Sequence, residues 1–409
     1  MNPIPVSVDF IRVGHPLPCN LVDKDGVLLA RKSFVIKSKE DLIDISNRGG
    51  GLFTDGADAE MVHRSYREHL QSLIQEEAAL GVIAEARFPT DPSKRKSAGQ
   101  GDAVDWLDII EQANFLLRDT NPVTFRERLE HIDATILREI QRNADAALFA
   151  LISISAAEQR KYSATHGLLV SVMCGIASRE VLNWPEPIQA VLRKAGLAMN
   201  VAMTDLQDKL ALQLTAPDQA QKQIIADHAR QSAALLNSLG VSDLTLLEAV
   251  REHHTPTPGP LRAKAPAHRL ARLIQRADMF AARLAPRSAR KPITPAAAMQ
   301  ACYFDENKQV DEAGAALIKA VGIYQPGSFV KLATQEVAVV VRRAANTSTP
   351  KVAVMVNRDG IASAQPMIRD TSMKEYRVVA SIPRQDIKIQ LNLGRMLTLT
   401  QQAASDRPW

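Results

Sequence analysis

Apolar residues recur every three or four positions through the middle of the chain, from Trp106 to about Ile323. This spacing predicts amphipathic helices, and the abundance of Ala and Leu favours them further. Prolines fall between the periodic stretches, where they mark helix boundaries rather than helix interiors. The pattern therefore predicts a mainly α protein whose helical domain covers residues 104–328. Its clearest periodic run contains Leu117, Phe125, Leu129, Ile132, Ile136 and Ile140.

Two shorter patterns flank this domain. Before it, short apolar runs alternate with turn signals, and Ser38–Asp41 has the composition of a helix start. We expect a small α+β domain over residues 1–85. After it, β-branched runs predict a β-rich extension over residues 329–395, followed by a polar tail at 396–409 that is expected to fray beyond Thr400. The strands of the extension are expected at 328–332, 336–342, 352–356 and 376–380.

The segment between the first two domains, residues 86–103, is polar and rich in Pro, Ser and Gly. This composition is typical of a flexible linker. It contains a basic run, Lys94–Lys96, which could recognise an acidic partner or could simply be solvated. The solvated alternative is favoured, because charge runs in linkers usually have no partner.

Composition and charge narrow the class of protein. The 409 residues are 46% hydrophobic and 23% charged, which is ordinary for a soluble domain. Lys plus Arg is 50 and Asp plus Glu is 45, so the net charge is +5, and only 4% of residues are aromatic. These values argue against a nucleic-acid polymer as a partner. We expect a cytoplasmic protein with no signal peptide and no membrane span, because no apolar run approaches about 20 residues.

The candidate chemistry lies in the histidines, because Cys19, Cys174 and Cys302 are too far apart for a disulfide framework or a cysteine metal cluster. His253 and His254 are adjacent, which is unusual on a helix. A single helical histidine is more often a structural residue than a ligand. An adjacent pair with further polar residues on other helices favours metal binding, since imidazole and carboxylate groups suit Fe, Mn or Zn. The candidate ligands are His166, His228, His253, His254 and Asp278.

The order of these residues resembles the HD-GYP family, bacterial metal-dependent phosphodiesterases that cleave cyclic di-GMP. The similarity spans roughly residues 104–395 and implies an HD-GYP-like helical bundle. Tyr162–His166 resembles the segment that supplies the first histidine of that family, and Arg269–Asp278 resembles the helix that ends in its last metal aspartate. Further similar segments are His228–Ser232, Glu252–His254, Thr294–Met299, Phe304–Asp305 and Tyr324–Leu332.

The sequence departs from that family at the residues that define its chemistry. Met199 stands where the His of the His-Asp pair belongs, Asn200 where the Asp belongs, and Met203 where a Lys belongs. The family aspartate bridges two metal ions, and a neutral amide cannot replace its charge. A thioether is a poor ligand for Fe(II) or Mn(II). The loop 255–260 also lacks the Gly-Tyr-Pro of the second family motif, so no catalytic residue is assigned.

Two functions from different classes follow from this comparison. The first is a degenerate HD-GYP-like protein that is expected to lack phosphodiesterase activity and to act as a binding or scaffolding module in cyclic di-GMP signalling. The alternative is an active metal-dependent phosphohydrolase with a reduced metal site. The resemblance implies either no cofactor or one residual divalent metal, with Fe or Mn expected. It also implies a signalling partner such as a diguanylate cyclase, or a homodimer.

Cyclic di-GMP itself is a further candidate ligand. Arg283 and Arg287 are candidate nucleotide-binding residues, because guanidinium groups form paired hydrogen bonds with phosphate. Other basic residues of the same region could contribute, or this face could be solvated and bind nothing. These are Arg272, Arg276, Arg290 and Lys291.

Overall fold

The computed structural model divides the chain into two compact units, Met1–Ala103 and Val104–Trp409. The residues that it describes are 3–5, 11, 13–14, 17, 20–23, 27–31, 34–48, 51–55, 105–285, 293–363, 365–389 and 391–405. The predicted linker at 86–103 and its basic run therefore lie outside the described residues. None of the helices within the described part is both long enough and apolar enough to cross a bilayer.

The described residues of the N-terminal unit form a small antiparallel sheet and one helix, which agrees with the α+β prediction. The strands occur in the order β1-β4-β2-β3, and Val22 of β2 lies opposite Phe53 of β4. A reciprocal pair of hydrogen bonds starts the helix: Asp41 N donates to Ser38 Oγ, and Ser38 N donates to Asp41 Oδ2. The elements are β1 (Pro3–Pro5), β2 (Leu21–Val22), β3 (Leu28–Ala30), α1 (Lys39–Arg48) and β4 (Phe53–Asp55).

The second unit begins with a run of helices, which confirms the mainly α prediction. Its helices are α2 (Trp106–Leu116), α3 (Pro122–Ser155), α4 (Tyr162–Ile176), α5 (Glu186–Ala198), α6 (Thr204–Leu212), α7 (Gln219–Ser238), α8 (Leu244–Glu252), α9 (Pro266–Leu284), α10 (Pro295–Gln300) and α11 (Glu312–Val321). Several of them start at an acidic cap of the kind that the sequence signals. Asp105 Oδ1 accepts from Leu107 N at the start of α2, and Asp218 forms a capping box with Gln221 at the start of α7.

Helix α4 is the centre of the bundle. Every residue from Tyr162 to Ile176 is buried, and the helix packs against α3, α5 and α9. Its contact with α5 is very close at Gly167, where a Cβ atom would lie 2.5 Å from Leu197 O. A glycine is therefore needed there for the two backbones to approach. This packing brings the residue before Gly167, His166, next to the C-terminal end of α5.

Helix α3 is interrupted at Asn143, whose backbone is extended with φ −163° and ψ 93°. The Asn143 side chain caps the second half of the helix, because its Oδ1 accepts from Ala146 N at 3.0 Å. Its Nδ2 donates to Thr400 Oγ1 at 3.4 Å. The kink therefore has an identified cause: the Asn143 side chain caps the second half of α3 and also contacts the C-terminal region.

The C-terminal region is a five-stranded antiparallel sheet in the order β8-β7-β6-β5-β9. Val339 of β6 lies opposite Phe329 of β5 and opposite Ala353 of β7. The β-rich prediction is confirmed, although β8 has no β-branched run and was not predicted. The strands are β5 (Phe329–Leu332), β6 (Val337–Arg342), β7 (Lys351–Val356), β8 (Ile368–Asp370) and β9 (Val378–Ile382).

A final helix, α12 (Leu393–Ser405), covers one face of this sheet, and here the expectation of a frayed tail beyond Thr400 was wrong for residues 401–405. Met396 and Ala403 are buried against Phe149 and the β5–β7 side chains. Arg342 Nη1 of β6 donates to Ala403 O at 2.6 Å, which satisfies a carbonyl near the helix end. Tertiary contacts therefore hold a segment that its own polar composition would leave frayed.

Candidate metal centre

Three imidazoles converge in the helical bundle. His228 lies on α7, while His253 and His254 follow the end of α8. His228 Nε2 lies 3.3 Å from His253 Nε2 and 3.2 Å from His254 Nε2. The three potential ligand atoms lie within 4.8 Å of one another. His228 and His253 are buried and His254 is exposed, so the cluster is closed on one side and open on the other.

Two of these imidazoles are oriented by carbonyl groups on their own helices. His228 Nδ1 donates to Ile225 O at 2.6 Å, and His253 Nδ1 donates to Val250 O at 2.6 Å. A carbonyl oxygen only accepts, so in each neutral ring the proton lies on Nδ1 and the lone pair on Nε2. This is the tautomer that a metal ligand needs, and a second hydrogen bond of this kind is usual for histidine ligands.

Burial keeps the same two imidazoles neutral. Loss of solvent, together with the neighbouring His254, lowers the pKa of His253 to about 3. Burial also lowers the pKa of His228, although the hydrogen bond to Ile225 O opposes that change. Both rings therefore offer a free lone pair at neutral pH.

The other two candidate ligands are engaged with each other. His166 Nε2 on α4 lies 2.7 Å from Asp278 Oδ1 on α9, and Tyr162 Oη lies 3.4 Å from His166 Nδ1. Burial by itself would raise the pKa of Asp278. The hydrogen bond from His166 and the electrostatic interactions with the neighbouring imidazoles outweigh it and hold that pKa well below its usual range. The Asp278 carboxylate is therefore ionised and accepts from His166 Nε2–H, so this nitrogen has no lone pair to offer to the three-histidine cluster.

The donor chemistry of the three-histidine cluster fits a divalent transition metal. Three neutral imidazole nitrogens with an open fourth side form the ligand set of many catalytic Zn sites, and imidazole also suits Fe and Mn. Asp278 lies close enough to interact electrostatically with His253 and His254. Within the described part of the chain, His166 and Asp278 are not members of the cluster. The five predicted ligands thus divide into a group of three and a pair.

Met199 and Asn200 lie beside that pair. Met199 directly follows α5 and is fully buried, Asn200 is 9% exposed, and both line a small cavity with His166. Met203 ends a short 3₁₀ turn, Val201–Met203, and is half-buried. The residues aligned with the His-Asp pair are therefore next to a candidate ligand, but they bring neither an imidazole nor a charged oxygen to it.

Two of the candidate phosphate-binding arginines have other partners. Arg272 on α9 donates to Glu306 and to Asp311, and Arg276 lies 3.3 Å from the same two carboxylates. Both guanidinium groups are buried, with side-chain exposures of 1% and 3%. They are neither a phosphate site nor a solvated face, because acidic residues distant in sequence neutralise them in the interior.

The remaining basic residues give a different picture. Arg283 is partly exposed, and its Nη1 donates to Met279 O at 3.2 Å. Arg287, Arg290 and Lys291 lie outside the described residues.

The sequence did not indicate the residues around Asn200, above all Gln207 on α6. No sequence signal marks Gln207, because it occupies an ordinary position in an amphipathic helix.

Comparisons with known proteins found one structural likeness. The chain is similar to Bd1817, a HDG"Y"P protein from Bdellovibrio bacteriovorus, with 15% sequence identity and a TM-score of 0.42 over 77% of this chain and 98% of that one. At this identity and TM-score, the likeness assigns neither a family nor the role of any residue. No protein-family model matches the chain. No curated protein matches it.

Proposed function

We propose that this chain is an HD-GYP-like protein that binds one divalent metal ion and does not hydrolyse cyclic di-GMP, and that it acts as a binding or scaffolding module in cyclic di-GMP signalling. The observation that carries the proposal is the convergence of three Nε2 atoms from His228, His253 and His254 within 4.8 Å. The order of sequence motifs supports the family relationship. The weak structural likeness adds nothing to it.

The residues themselves explain why hydrolysis is not expected. Hydrolysis at two metal ions needs an anionic bridge that holds both ions and compensates their charge. Asn200 is neutral, Met199 carries a soft thioether, and His166 is paired with Asp278. A bound divalent ion would supply Lewis acidity and a coordinated water of lowered pKa. Among the described residues, the protein would offer three imidazoles to one ion; burial keeps His228 and His253 neutral, and two backbone carbonyls orient them.

One observation favours the alternative, an active phosphohydrolase with a single ion. His254 is exposed, so the open side of the cluster is accessible from solvent. Structural zinc sites are normally closed by a fourth protein ligand, whereas catalytic sites keep one position open. A phosphate ester could therefore approach the cluster without a change in the buried residues.

Metal analysis of the full chain, purified without oxygen, tests the metal site. We expect about one Fe, Mn or Zn ion for each chain, and we expect His253→Ala to lose it. His131→Ala is the matched control, because His131 is an exposed histidine on α3 in the same unit. Equal metal content in the two variants, or a metal-free wild type that also fails to take up Co²⁺, would overturn the proposed site.

A hydrolysis assay on the metal-loaded chain separates the two functions. We expect no turnover of cyclic di-GMP above the level of His253→Ala. Robust turnover that His253→Ala abolishes and His131→Ala retains would establish the phosphohydrolase instead. Calorimetric titration with cyclic di-GMP then tests the binding role. An absence of heat at high micromolar nucleotide would restrict the module to protein partners, either a diguanylate cyclase or a second copy of this chain.

A further inference from the structure

A small cavity lies beside His166 and is lined by residues of α4, of the end of α5 and the segment after it, and of α6. Its volume is about 10 Å³. This is about the smallest space that holds one water molecule. The wall includes both apolar and polar side chains, and the polar ones are Ser163, His166, Asn200, Thr204 and Gln207.

Two buried oxygens of this wall have no hydrogen-bond partner among the described residues. They are Asn200 Oδ1 and Gln207 Oε1. Asn200 is 9% exposed and Gln207 is 6% exposed, so bulk water does not solvate them. Nearly all buried polar atoms in proteins are hydrogen-bonded, because an unpaired one loses its hydration without compensation. Two such atoms in the wall of one cavity therefore indicate that a small molecule binds there.

The bound molecule must donate hydrogen bonds. Ser163 Oγ lies 2.8 Å from both Thr204 O and Asp208 Oδ1, and Thr204 Oγ1 donates to Val201 O at 3.0 Å. The hydroxyl protons of Ser163 and Thr204 are thus already engaged, and the unpaired buried atoms of the wall are two oxygen acceptors. A water molecule carries two protons, one for each unpaired amide oxygen.

A metal ion fits this wall less well than water does. Two carboxylates contact residues of this wall, and both are already engaged. Asp208 accepts from Ser163 N at 2.7 Å and pairs with Arg118 Nη2 at 2.6 Å, and Asp278 accepts from His166 Nε2 at 2.7 Å. The two unpaired oxygens belong to neutral amides. Hard cations need more oxygen ligands than these and usually at least one anionic ligand.

We propose that this cavity is a built site for a single buried water molecule, which donates to Asn200 Oδ1 and Gln207 Oε1 and so links the segment after α5 to α6. The residue that aligns with a metal-bridging aspartate then serves as an anchor for water. This inference is independent of the three-histidine cluster and remains valid if that cluster binds no metal.

A double-mutant cycle in urea tests the link between the two side chains. Asn200→Leu and Gln207→Met remove the amides with little change in volume. If one water joins them, the double variant should lower the urea midpoint by clearly less than the sum of the single changes. Gln189→Met is the matched control, because Gln189 Oε1 is also buried and unpaired but does not line the cavity. Combined with Asn200→Leu, it should be additive. Additivity in both pairs would overturn the proposal.

A crystal structure of the wild-type chain gives a second test that does not depend on the stability of variants. We expect one spherical density peak within about 3 Å of both amide oxygens, with no anomalous signal. An anomalous peak after a soak in Mn²⁺ would show a cation instead. An empty cavity in well-resolved density would show that the two oxygens are truly unpaired. Either result refutes the water site.

Discussion

The buried ion-pair network on α9 should be indispensable for the helical unit, and Arg272→Met tests this. Arg272 Nε donates to Asp311 Oδ2 at 2.8 Å, and its two terminal nitrogens donate to Glu306 at 2.9 Å. The Asp311 side chain is only 2% exposed. Its other oxygen caps α11 by accepting from Gly314 N. Methionine fills a similar volume, so the substitution removes the charge and leaves Asp311 with Arg276 as its remaining cationic partner.

The expected loss is large because the remaining carboxylate cannot reach water. Breaking a buried ion pair by removing one partner typically costs about 3–5 kcal/mol of unfolding free energy. The exposed pair between Arg251 and Glu248 provides the comparison, since its side chains are 52% and 31% exposed. Such surface pairs contribute about 0–1 kcal/mol. Arg251→Met should therefore be close to neutral.

Tryptophan fluorescence is the assay, because all three tryptophans, Trp106, Trp184 and Trp409, lie in the Val104–Trp409 unit. With a urea dependence of about 3 kcal/mol per M for a unit of this size, Arg272→Met should lower the midpoint by about 1–2 M. Arg251→Met should leave it within about 0.3 M of wild type. Equal midpoints for the two variants would refute the reasoning that burial of Asp311 makes Arg272 necessary.

Three further outcomes are expected. The Arg272 hydrogen bonds lower the pKa of Glu306 from 4.5 to about 2, so the stability that they contribute is complete above pH 4.5 and is lost as the pH falls toward 2. Glu306→Gln should therefore reduce the change of the urea midpoint with pH over that interval, and the same pH dependence as in the wild type would contradict this. Gly167→Ala should cost about 1–3 kcal/mol, because its Cβ would meet Leu197 O, and wild-type midpoints would contradict it. Asn143→Ala should cost about 1 kcal/mol and speed hydrogen exchange in α12, whereas unchanged exchange would show that the Thr400 contact is unimportant.

The helices could be predicted from the sequence because their signals are local. Periodic apolar residues and caps such as Asp218 act within one or two turns, so the limits of a helix such as α7 are marked by residues close in sequence. Helix α12 could not be predicted, since Met396 and Ala403 are buried by Phe149, more than 200 positions earlier. Strand β8 is held by pairing with β7, and its three residues show no β pattern of their own.

The candidate site was predictable only as a set of residues. The sequence indicates which imidazoles and carboxylates are present, but not which of them face one another. His166 and Asp278 were grouped with the other ligands, whereas the structure pairs them at 2.7 Å. From the sequence, Arg272 and Arg276 are candidates for phosphate binding, because Glu306 and Asp311, which neutralise them, are 30 or more positions away.

The carbonyl contacts of His228 and His253 have a consequence for how this region tolerates change. Each imidazole takes its direction from a carbonyl three residues earlier on the same turn, Ile225 O or Val250 O. The direction of each Nε2 lone pair is therefore set by a four-residue segment, which lies on α7 for His228 and at the end of α8 for His253. Met199 and Asn200, in the segment after α5, take no part in either hydrogen bond. The orientation of His228 and His253 can thus be kept when neighbouring residues of the pocket are replaced, because it depends only on hydrogen bonds within each local segment.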